Sequence, residues 1–74
     1  MFKEHERAIL TEALPDHGLE AGDVGTVVLV HKEGPEYEVE FVALNGETFA
    51  VVTVYAHQIR QAAIREVPHA RAIP

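Results

Sequence analysis

From Glu36 to Val42 the chain reads Glu-Tyr-Glu-Val-Glu-Phe-Val, acid alternating with apolar. A period of two marks a β-strand with one face in the core and the other in water. Tyr37, Val39 and Phe41 form the inward set, and Glu36, Glu38 and Glu40 the outward one. Upstream, Gly22-Asp23-Val24-Gly25-Thr26-Val27-Val28 opens a strand expected over Val24 to His31. Its two glycines offer the free φ of a tight turn or bulge at the strand entry. If Val24 and Val27 both face the core, their odd spacing requires one extra residue, so the pattern predicts a bulge at Gly25.

The remaining punctuation divides the chain into short strands. Ala8-Ile9-Leu10-Thr11 reads as a first strand, with a helix over residues 3 to 14 as the competing possibility, and Met1 to Glu6 as a frayed lead-in. Pro15-Asp16-His17-Gly18 marks a surface turn, and Lys32-Glu33-Gly34-Pro35 a hairpin. Asn45-Gly46 predicts a type I′ turn with positive φ at both residues. It leads into Thr48 to Val54, apolar on both faces and so expected in a central or covered place. Gln58-Ile59-Arg60 reads as a further strand, Glu66-Val67-Pro68 as a turn, and His69 to Ile73 as a closing strand against the first, with the end near 72 to 74 frayed. Five or six short antiparallel strands about ten residues apart favour closure over an open meander. The expectation is an all-β, single-domain SH3-like barrel over residues 1 to 74.

Composition narrows the function. A chain of 74 residues without cysteine has neither disulfides nor thiolate metal sites to support its core. It also lacks serine, so the common nucleophiles are missing, and no catalytic constellation stands out; the expectation is a protein that is not an enzyme. Neither a membrane span nor a signal peptide is readable, which makes the cytoplasm the default location. Twelve acidic residues against six Lys and Arg give a net charge of −6, a field that repels nucleic acid and serves either solubility alone or a basic protein partner. Five histidines (His5, His17, His31, His57 and His69) invite a metal, but none is paired at close ligand spacing, so no cofactor or metal is expected. A proline-rich ligand needs clustered exposed aromatics, whereas Tyr37 and Phe41 belong to the core.

Leu14-Pro15-Asp16-His17-Gly18-Leu19, Gly22 to Val28, Tyr37 to Phe41 and Ala50 to Val54, in this order and spacing, resemble the small bacterial proteins grouped as domain of unknown function 4926. The resemblance spans about Arg7 to Arg60 and implies a partner-binding or antitoxin-like role. A wider likeness, carried by Gly22, Gly25, Val27, Tyr37, Val39 and Phe41, is to KOW-type and nitrile-hydratase β-subunit barrels. It implies the barrel, and with it two alternative roles: nucleic-acid binding, or assembly of a metalloenzyme. Acidic Asp23, Glu33, Glu36 and Glu47 depart from the basic loops of nucleic-acid-binding KOW domains, and a basic patch would have to come from Arg60, Arg65 and Arg71. The candidate partner-binding residues are Glu36, Glu38 and Glu40, with Tyr55 and His57 as the alternative surface.

Overall fold

The computed structural model describes residues 2–74. Five strands form one antiparallel sheet: β1 (Arg7–Leu10), β2 (Val24–Val30), β3 (Glu36–Val42), β4 (Thr48–Tyr55) and β5 (Ile59–Gln61), in the spatial order β4-β3-β2-β1-β5. β4 and β5 lie at opposite edges of the sheet, yet only the single 3-10 turn Ala56–Gln58 separates them in sequence. So short a link joins the two edges only if the sheet curls on itself, which gives the small SH3-like barrel. No helix among the described residues is long and apolar enough to cross a membrane.

The alternation of β3 is realised as expected. Tyr37, Val39 and Phe41 are buried, and they join Ala8, Leu10, Leu19, Val27, Val52, Val54 and Ile59 in one apolar cluster. Phe2 belongs to that cluster too, its ring edge-on to Tyr37 at 5.3 Å between centroids. The lead-in is therefore anchored rather than frayed: its apolar residue finds a place in the core, and Val27 N donates to the Glu6 carbonyl at 2.9 Å. Of that stretch, Met1 lies outside the described residues.

Four local expectations need correction. The bulge in β2 is not at Gly25: Val27 pairs with Val39 and Leu29 with Glu38, so Val28 is the extra residue. The odd spacing does exist, but between Val27 and Val30, which pair with the inward Val39 and Tyr37. Gly25 is required for a different reason, because a Cβ there would lie 2.5 Å from Val39 Cγ1 and 2.9 Å from Phe41 Cε1. At Asn45-Gly46 only the glycine has positive φ, 92°. Gly46 N donates to the Ala43 carbonyl and Ala43 N to the Glu47 carbonyl, the pattern of a turn followed by a left-handed glycine bulge in place of a type I′ turn.

β4 is an edge strand, not a central one, and Val51 on its outer face is 54% exposed. Apolar residues on both faces report burial only where a second layer covers the sheet, and the outer side of this single-sheet barrel has none over Val51. Residues 62–74 carry no strand; β5 takes the place beside β1 that the pattern assigns to His69 to Ile73. That tail instead crosses back over the loop that holds Gly18 and Asp23, through Arg71.

Candidate protein-docking face

Residues directly opposite in an antiparallel ladder present their side chains to the same side. Glu36 pairs with Tyr55, Glu38 with Thr53 and Glu40 with Val51, so the outward glutamates of β3 share a face with alternate residues of β4. On the other flank, Leu29 of β2 pairs with Glu38. The face is thus a carboxylate row between two strips containing exposed apolar groups, with Leu29 46% and Tyr55 51% exposed beside Val51. His57 follows in the 3-10 turn, and its ring stacks on Tyr55 at 5.8 Å and 9°. Hydrogen bonds that hold that turn include those from Tyr55 N to Gln58 Oε1 at 2.8 Å, from Thr11 Oγ1 to the His57 carbonyl at 3.1 Å and from Ala56 N to the Pro35 carbonyl at 2.8 Å. The glutamate stripe and the Tyr55/His57 surface, alternatives in the sequence, are therefore one continuous surface.

The carboxylates are oriented, not loose. Thr53 Oγ1 donates to Glu38 Oε2 at 2.6 Å, and Thr48 Oγ1 donates to Glu40 Oε2 at 2.6 Å. His31 Nε2 also lies 2.7 Å from Glu38 Oε2; an ionised carboxylate only accepts, so the ring nitrogen carries the proton. The Thr53 hydrogen bond, then that of His31, hold the Glu38 carboxyl below its ordinary pKa against the opposing effect of desolvation. Glu38 is therefore ionised at neutral pH, and its Oε1 has no hydrogen-bond partner among the described residues. Such a row accepts hydrogen bonds and attracts cations, while Leu29, Val51 and Tyr55 add apolar contact area.

The sequence pattern finds the three glutamates but misses their neighbours. Leu29 sits in the unbroken run Val27-Val28-Leu29-Val30, which carries no sign of which side each residue takes. Val51 reads as core because both neighbours are apolar. The contributions of Thr48, Thr53 and His31 are set by strand register, for which single residues give no signal. Of the cations that a nucleic-acid interface would draw on, two are engaged by carboxylates. Arg60 binds Glu66 through two hydrogen bonds of 2.8 and 2.6 Å, and Arg71 binds Asp23. No group of three or more His, Asp or Glu among the described residues is placed to hold a metal ion.

The model of a family described as a domain of unknown function, DUF4926, matches residues 4–61. The chain belongs to that family. No curated protein and no solved structure matches it. The DUF4926 match ends at Gln61, the last residue of β5, so it coincides with the barrel and leaves residues 62–74 outside.

Proposed function

We propose that this DUF4926 barrel is a non-enzymatic protein-interaction module that docks a basic partner on the outer face of β2, β3 and β4. The observation that carries this is the β3–β4 register, which sets Glu36 beside Tyr55 and places three carboxylates between exposed apolar residues. Carboxylates in that position steer a basic surface and raise the association rate, and an exposed tyrosine with aliphatic neighbours supplies the desolvated contact that slows dissociation. Pre-orientation of Glu38 and Glu40 by Thr53 and Thr48 lowers the ordering cost on binding. A cysteine-free chain needs no oxidising compartment, and the setting that fits is the bacterial cytoplasm, in an accessory or antitoxin-like role towards another protein.

The test is affinity capture from the native host with the wild-type chain, then with Tyr55→Ala and with Glu36, Glu38 and Glu40 all changed to Gln. A partner with a basic surface, retained by the wild type and lost from both variants, is the expected result. A partner retained equally by all three places the interface elsewhere.

A further inference from the structure

Residues 62–74 lie outside the DUF4926 match, and among the described residues no backbone hydrogen bond joins 67–74 to the barrel. Glu66 is held by Arg60 of β5, and beyond it one side chain latches the tail. Arg71 Nε donates to Asp23 Oδ1 at 2.9 Å, and Nη2 donates to Asp23 Oδ2 at 2.6 Å and to the Gly18 carbonyl at 2.9 Å. Glu20 Oε2 adds a carboxylate 3.6 Å from Nη1. Asp23 is held ready for this by its own turn, since Glu20 N donates to Asp23 Oδ2 at 2.8 Å. The planar fork of a guanidinium fits this paired acceptor set, and a lysine ammonium does not reproduce it.

Beside the latch lies an open groove. A cavity of about 550 Å³ remains between the tail and a barrel wall that includes Leu19, Phe41 and Phe49. The residues flanking the arginine are Ala70 and Ala72, both exposed. Ile73 of the tail lines the groove and is 43% exposed, but a side chain of one carbon on each side of Arg71 cannot fill a space of that size, so part of the apolar wall stays open. The charge at the latch is complementary to an arginine, and the cavity is complementary to something larger than alanine.

We propose that this groove is a peptide-recognition site for an extended segment of a partner protein carrying an arginine between bulky apolar residues, and that residues 66–74 are a weak internal occupant which the partner displaces. The groove is reached from the Val42 end of β3, about 20 Å along the strand from Glu36, so the proposal stands independently of the β3–β4 docking face. A tethered tail competes at a millimolar effective concentration, and a partner overcomes it by filling the cavity that the alanines leave.

The experiment uses the full chain and three synthetic peptides. The first has the sequence of residues 66–74, the second carries Ala70→Leu and Ala72→Leu, and the third is the leucine peptide with Arg71→Lys. Binding is measured by calorimetry and by backbone amide shifts, on the wild type and on Arg71→Ala. Removing the internal occupant should tighten the leucine peptide about tenfold or more, and that peptide should bind about tenfold or more tighter than the native sequence. Shifts should centre on Gly18, Leu19 and Asp23. The lysine peptide should lose about tenfold or more, a control that alters no protein residue. Asp23→Asn, which keeps an acceptor for its turn, should abolish binding of every peptide. Equal affinity for the wild type and Arg71→Ala, no binding to either, or shifts confined to Glu38 and Thr53 would overturn the proposal. So would a tail-exchanged dimer of the wild type to which no peptide adds, because the groove would then belong to a second copy of this chain.

Discussion

Glu36 stands directly opposite Tyr55 across the β3–β4 ladder, and that one pairing joins the acidic row of β3 to the aromatic end of β4. Both strands send their other residues inward: Tyr37 meets Val54 and Val39 meets Val52. The same register therefore builds the core and the docking face, and a shift by one residue would exchange them.

Val39 has no solvent exposure, so Val39→Ala should cost about 2–3 kcal/mol through lost burial and a residual cavity. Its neighbour Glu38 faces outward, and Glu38→Gln keeps an acceptor for Thr53, so the stability change there should be small. Urea unfolding of the two variants checks this. Equal losses would mean that the strand parity is inverted.

Gly25→Ala should destabilise by about 1–3 kcal/mol, because the new methyl group meets Val39, Phe41 and the Glu40 carbonyl at less than van der Waals distance. Gly34→Ala is the matched control, since nothing lies within 4 Å of a Cβ there and its φ is not positive. It should leave stability unchanged or slightly raised. A tolerated alanine at position 25 would contradict the close β2–β3 packing.

Gly46→Ala should cost about 1–2 kcal/mol, since alanine must adopt a left-handed conformation at φ 92°. Asn45→Gly should bring no gain, because Asn45 does not occupy that region and its side chain already accepts from Glu47 N at 3.0 Å. Thermal unfolding compares the two. A stabilising Asn45→Gly would favour the type I′ turn instead.

How far this molecule can be read from its sequence depends on the range of each signal. The inward set of β3, the short β5 strand and the turn over Pro15–His17 are local patterns, and all three are present in the structure. The bulge at Val28 is not local: Val27 to Val30 are all apolar, and only the partner residues of β3 show where the phase changes. The edge position of β4 follows from topology, which Val51 cannot reveal by itself. The Arg71–Asp23 latch joins residues 48 positions apart, each of which reads alone as an ordinary surface charge. Of the candidate face, the glutamates were legible, whereas their union with Tyr55 and His57 required the register.

Acid should release the tail only at low pH. The Asp23 carboxyl is held below its ordinary value of 3.8, chiefly by the hydrogen bond from Arg71 and against the cost of burial. A lowered folded pKa means that the latch contributes fully above the unfolded value and is lost as pH falls through the folded one. The Asp23 amide and Arg71 Nε–H shifts should thus report the latch by moving together only below the ordinary aspartate value. The Arg60–Glu66 pair is exposed and Glu66 is lowered to about 2, so its opening should appear in the same acid range and leave the barrel core intact. Tail release at mildly acid pH would contradict the role of Asp23.

The central claim, that the β2–β3–β4 face docks a basic partner, is tested most directly by stopped-flow association with the captured partner at two ionic strengths. The wild type is compared with the variant in which Glu36, Glu38 and Glu40 are all Gln. Because glutamine keeps the shape and removes only the charge, the variant should fold as the wild type does. It should associate up to about tenfold more slowly at low salt, with a flattened salt dependence, since the steering field is screened over about 8 Å at physiological ionic strength. An unchanged rate with an unchanged salt dependence would show that the carboxylate row only meets solvent and that the partner binds another surface.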